Sequence, residues 1–104
     1  MRVTAMDRET HGGWLYIMAD RYRGTMYVGM TADLAARIVQ HRDGSGSKFC
    51  AEYGLTKLVW AEKIAPIHLC IEQEKRMKKW WREWKIALVE KANPDWKDLF
   101  EQLI

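Results

Sequence analysis

Apolar positions first crowd together at Trp14, Leu15, Tyr16, Ile17 and Met18, a short run rich in aromatic and β-branched side chains. Polar Asp20 to Gly24 interrupt it, and Thr25, Met26, Tyr27, Val28 and Gly29 resume the pattern, which predicts a hairpin of two strands over residues 14–29. Helical spacing follows: Leu34 and Ile38 recur at an interval of four behind Thr31, a candidate N-cap, with Asp33 in the first turn, predicting a helix near 31–42. Gly44, Ser45, Gly46 and Ser47 read as flexible punctuation, Lys48 to Tyr53 as a short helix closed by Gly54, and Leu58 to Ala61 as a third strand within 57–63. Pro66 suits the first position of a helix, so the remainder reads as helices near 67–80, 82–92 and 95–103, the last two separated by Asn93 and Pro94. The chain is thus expected to be α+β, with a three-stranded antiparallel sheet flanked by helices. Residues 1–12 carry no sustained period and are read as a loosely ordered tail ahead of a single domain over 13–104.

Composition narrows the classes. A length of 104 residues fits one core, and two cysteines cannot make a disulfide scaffold. The apolar runs fall far short of a membrane helix, and the acidic and basic start does not read as a signal peptide, so a cytoplasmic protein with free Cys50 and Cys70 thiols is expected. Seventeen basic against fourteen acidic residues leave a net charge of +3, too small to name a partner by itself. The distribution is more informative: between Glu74 and Lys85, basic Lys75, Arg76, Lys78, Lys79, Arg82 and Lys85 interleave with Trp80, Trp81 and Trp84. Cations beside aromatic rings suit phosphate neutralisation and base stacking, although a solvated helical face over packed tryptophans has the same composition.

Three groups of residues could carry chemistry. Ile67, Cys70, Ile71, Glu74 and Met77 share helical spacing, which sets the Glu74 carboxylate on an apolar stripe while Glu72 points elsewhere. A carboxylate there requires a cation, a proton or an ion pair with Lys75, Lys78 or Lys79. Arg37 and His41 stack one turn apart beside Leu34 and Ile38, a fork and a proton carrier suited to a phosphodiester, although an isolated pair at this spacing is more often a solvated helix edge. Tyr16 and Tyr27 lie on the hairpin, where Gly29 leaves room for backbone and ligand to approach; tyrosines in strands are usually packing.

Together these residues resemble the GIY-YIG nuclease family, in particular its small single-domain bacterial members and the catalytic domain of the excision-repair endonuclease. The first motif is Trp14, Leu15 and Tyr16, with Trp14 where the motif names glycine; the second is Tyr27, Val28 and Gly29, with Val28 for isoleucine. Residues 31–41 resemble the family's first helix, 46–53 its following loop and short helix, 58–62 its third strand and 71–79 the helix bearing its metal-binding glutamate, which falls on Glu74; Asn93 falls on the family's asparagine. The resemblance implies hydrolysis of DNA phosphodiesters, in repair or processing. One Mg²⁺ or Mn²⁺ would be held by Glu74, the phosphate clamped by Arg37, a water activated by Tyr16 or Tyr27 with help from His41, and the site steadied by Asn93. Lys75, Lys78, Lys79 and Arg82 would contact the nucleic acid, structured or single-stranded. The alternatives are a non-catalytic nucleic-acid-binding module on the same fold and a protein-interaction domain docking through its tryptophans.

Overall fold

The computed structural model describes residues 12–103; most of the tail assigned to 1–12 lies outside the described residues. Strand β1 (Gly13–Ala19) is flanked by antiparallel β2 (Met26–Thr31) and β3 (Lys57–Ile64), giving the order β2-β1-β3. The hairpin turn is locally determined: Asp20 accepts from the Thr25 amide at 2.8 Å, and the Gly24 amide donates to the Arg21 carbonyl at 2.9 Å. Helices α1 (Leu34–Asp43) and α2 (Lys48–Tyr53) follow β2; α3 (Ile67–Lys78) and α4 (Arg82–Ala92) follow β3. Among the described residues, the sheet and its four helices are the α+β arrangement expected from the sequence.

Alternation along β1 divides the core in two. Leu15, Ile17 and Ala19 pack with Cys70 and Met77 of α3 and Val89 of α4, whereas Tyr16 and Met18 pack with Leu34 and Ile38 of α1 and Cys50 of α2. The sheet is therefore the middle of three layers, and the free thiols of Cys50 and Cys70 are buried on opposite sides of it. A β-bulge pairs Ile17 with Trp60 but Met18 with Leu58, and the extra residue, Val59, shares the α3/α4 side with Trp60. Each buried aliphatic side chain contributes about 1.5–3 kcal/mol, against about 0.5–1.5 kcal/mol for a hydrogen bond, so these two apolar clusters hold the layers together.

Two expected boundaries move, and one expected apolar position is exposed. Thr31 ends β2, and the N-cap of α1 is Asp33, whose carboxylate accepts from the Ala36 amide at 3.2 Å. Ile71 is exposed, because the buried side of α3 runs through Cys70 and Met77 with Gln73 and Glu74 half-buried. The helix expected over 95–103 is reduced to a 3-10 turn, Phe100–Leu103. Trp96 stops it: its backbone is left-handed at φ 56, and its indole is fully buried, donating to Glu90 at 2.7 Å. Burial of that large ring outweighs the roughly 1–2 kcal/mol cost of the left-handed conformation. The segment then continues to the α1/α2 side, where Leu99, Phe100 and Leu103 pack.

Candidate active site

The hairpin register places Tyr16 directly opposite Gly29, and Met18 opposite Tyr27, so both tyrosines lie on the α1/α2 side of the sheet. The phenolic oxygen of Tyr16 lies 2.7 Å from His41 Nε2, a fully buried contact between β1 and the last turn of α1. Tyr27 completes a triangle of rings, with centroids 6.4 Å from Tyr16 and 5.6 Å from His41, and stacks on Phe49 at 6.2 Å.

Two glycines make this packing possible. A Cβ on Gly29 would stand 2.5 Å from the Tyr16 hydroxyl, and one on Gly46 would stand 2.7 Å from His41 Nδ1. The space beside Gly29 is thus filled by the Tyr16 phenol and not left for a ligand, which corrects the sequence reading. Gly46, read only as loop punctuation, bounds the imidazole; five residues beyond His41 in a Gly/Ser run, it carries no sequence signal of that role.

The electrostatics follow from burial. Desolvation pushes the Tyr16 phenol up to about 12 against the opposing pull of Arg37, so this group is a neutral phenol at neutral pH. Burial, assisted by the Arg37 cation, lowers the pKa of His41 below the ordinary histidine range, so its imidazole is neutral too. His41 Nδ1 is buried and has no hydrogen-bond partner among the described residues. Arg37 itself is half-buried and donates to Gln40 at 3.0 Å.

Glu74 comes from the other layer. It is half-buried on α3, close enough to Cys70 for its charge to add to the burial that raises that thiol, and 3.7 Å from Lys78 Nζ. Lys78 in turn reaches past the free edge of β2, its ammonium 5.7 Å from the Tyr27 ring centroid. A cleft of about 260 Å³ opens there, lined by Met26, Tyr27, Val28, Phe49, Lys78 and Lys85. The structure therefore groups Tyr16, Tyr27, Arg37 and His41 on one face of the sheet, whereas Glu74 lies on α3, which packs on the opposite face, and is linked to the cleft through Lys78. Phe49 and Lys85 join the cleft although sequence reasoning gave them no role there; Lys85 lay within the basic run, and Phe49 is brought in by tertiary packing.

Asn93 is occupied elsewhere. Its amide donates to the carbonyls of Val59 and Lys97, both at 2.9 Å, and its side-chain oxygen accepts from the Lys97 amide at 3.1 Å. It satisfies the bulge residue of β3 and organises the turn after α4, which steadies the fold behind the site. Lys75, Lys78, Lys79 and Arg82 are all exposed, with Arg82 also donating to the Arg23 carbonyl.

Residues 12–87 match the family model of the GIY-YIG catalytic domain. The chain belongs to the GIY-YIG nuclease superfamily. Among its GIY-YIG relatives, a UPF0213 protein of Bacillus pumilus (strain SAFR-032) is 32% identical over 79% of this chain and 83% of its own length. A UPF0213 protein of Aeromonas salmonicida (strain A449) is 30% identical over 94% and 75%, and one of Lacticaseibacillus paracasei 27% identical over 88% and 100%. No solved structure matches the chain significantly. Among the described residues no helix is long and apolar enough to cross a membrane.

Proposed function

We propose that this GIY-YIG domain is a divalent-metal-dependent nuclease that hydrolyses DNA phosphodiester bonds, in repair or processing. The observation that carries the reading is the buried 2.7 Å contact between Tyr16 and His41, positioned by Gly29 and Gly46 and joined by Tyr27 at the mouth of a cleft.

The donor set suits Mg²⁺ or Mn²⁺. Among the described residues no three His, Cys, Asp or Glu side chains converge, so no all-protein cage is available. Mg²⁺ is commonly held by one or two carboxylates with waters and substrate phosphate completing its shell, and half-buried Glu74, in a loose pair with Lys78, fits that demand. A bound divalent cation supplies charge stabilisation at the phosphate oxygens. Arg37 clamps a non-bridging oxygen through its planar fork. Tyr27, half-buried and lining the cleft, orients the attacking water, while the fully buried Tyr16 holds the inner end of the network. Tyr16 and His41 are both neutral, and His41, with the lower pKa, is the group that can take up the proton released by the attacking water, by way of the tyrosines, and return it to the leaving oxygen.

The deciding experiment compares Mg²⁺-dependent cleavage of single-stranded, duplex and branched DNA by wild type, Glu74→Gln and Glu72→Gln. Glu74→Gln keeps the side-chain volume but removes the charge, and cleavage should fall by orders of magnitude with binding retained. Glu72→Gln, exposed on α3, should behave as wild type. DNA binding by wild type without cleavage under any divalent cation would reduce the domain to a binding module, and equal losses in both variants would show that Glu74 is not the metal ligand.

A further inference from the structure

Trp80, Trp81 and Trp84 are adjacent in sequence but have different surroundings. Trp80 is half-buried and packs against the core cluster of the α3/α4 side, whereas Trp81 is 68% and Trp84 56% exposed. Two large rings so open to water on a chain this small lie outside the economy of core packing. Trp84 is nonetheless held in place, edge-on against Trp80 with centroids 6.3 Å apart. Trp81 caps the start of α4, its carbonyl accepting from the Trp84 amide at 3.1 Å and the Lys85 amide at 3.4 Å, so both tryptophans belong to the same turn as Lys85.

Lys85 ties them to the candidate active site. It lines the cleft that contains Tyr27 and Lys78, and also a second cleft of about 300 Å³ formed with Thr25, Met26, Trp80 and Arg82. The two clefts share Met26 and Lys85 and run along the edge of β2, and among the described residues their charged lining is cationic: Lys78, Lys85 and Arg82. Burial, with Arg82 close by, lowers the pKa of Lys85, as befits a cation held in a groove.

We propose that this track, with Trp81 and Trp84 as stacking surfaces, binds an unpaired strand of nucleic acid that leads to the candidate active site, making the substrate single-stranded DNA or the single-stranded arm of a branched molecule. The inference rests on the nuclease reading for the placement of the scissile phosphate. Its chemistry follows from the surface: cations at the groove floor meet phosphates, and exposed indoles need bases whose faces are free. A continuous duplex keeps its base faces stacked on one another and offers the rings nothing to stack on.

The test is a titration of tryptophan fluorescence in EDTA, without turnover, using an oligodeoxythymidylate of about a dozen nucleotides and, separately, a mixed-sequence duplex. The single strand should quench the wild-type signal. Trp81→Ala and Trp84→Ala should each weaken its binding roughly tenfold and leave the salt slope unchanged, because stacking releases no counterions. Duplex affinity should change far less. Both rings are exposed, so circular dichroism and melting temperature should stay at wild-type values. Binding of the single strand that is undiminished in both variants, or equal losses for single strand and duplex, would overturn the proposal; so would tryptophans that neither nucleic acid quenches, the result expected of a surface for a protein partner. Absence of cleavage by the wild type would sink the nuclease reading while leaving the quenching result standing, and unquenched tryptophans in an active nuclease would do the reverse.

Discussion

Gly29→Ala tests whether the Tyr16–His41 contact is built by the hairpin register. The backbone of Gly29 is not left-handed, so alanine costs no unusual conformation; the whole effect is steric. Its methyl carbon would stand 2.5 Å from the Tyr16 hydroxyl, 2.6 Å from the ring carbon bearing it and 2.9 Å from the Tyr27 ring, all inside van der Waals contact. Tyr16 is fully buried against His41 and cannot swing into solvent, so sheet or phenol must shift. Overpacking of this kind costs about 1–3 kcal/mol, and loss of the hydrogen bond adds about 0.5–1.5 kcal/mol, giving roughly 2–4 kcal/mol. For a domain of this size that lowers the melting temperature by about 10–30 °C. Calorimetry and cleavage should be measured together, with Gly54→Ala as control: Gly54 has a positive φ of 66 and nothing near its Cβ position, so the control loses about 1–2 kcal/mol from conformation alone and keeps its activity. A Gly29→Ala protein that melts and cuts like wild type would refute the reasoning.

Asn93→Ala should destabilise the fold by about 1–3 kcal/mol, since it strands the Val59 carbonyl, and urea denaturation should register the loss while cleavage per folded molecule stays at the wild-type level. Glu90 gives a pH signature: Arg23, then the Trp96 indole, hold its carboxyl down at about 2 from the ordinary 4.5, so its stabilisation is fully present above about pH 4.5 and lost as pH falls toward 2. Melting curves of wild type and Glu90→Gln should therefore differ at neutral pH and converge across that acid window; a constant gap would rule the ion pair out as its source. Phe49→Ala removes the ring stacked on Tyr27 at 6.2 Å and should lower the rate of DNA cleavage more than the melting temperature, because Phe49 is exposed.

Much of this was legible because local signals and tertiary packing agree. The hairpin is written in its two apolar runs and a turn that closes on its own Asp20 and Gly24, and α2 in the left-handed Gly54 that ends it, although its cap Ser47 reads in the sequence only as loop. Helical spacing was enough to bring His41 and Arg37 to one side of α1 and to set Glu74 half-buried on α3. What could not be read was the layer each helix joins. Spacing fixes which side of α3 bears Glu74 but not that α3 covers the face of the sheet opposite Tyr16. The missing helix after Asp95 is the same kind of failure: Leu99, Phe100 and Leu103 have helical spacing, but the burial of Trp96 in the other core dictates a left-handed residue that no local pattern announces.

The two rims of the sheet are treated unequally. Leu58 exchanges backbone contacts with the segment after α4, donating to Asp98 at 3.2 Å and accepting from the Leu99 amide at 2.8 Å, while Asn93 takes the carbonyl of Val59. These contacts lie beyond the residues matched by the family model, and they act as a guard rail along β3. An unguarded strand edge invites another chain to add to it, so this short stretch protects the protein against self-association on one flank. On the other flank no such rail lies along β2 among the described residues, and Lys78 and Lys85 stand there instead, charges that repel a second copy of the same surface while leaving the flank open to a polyanion.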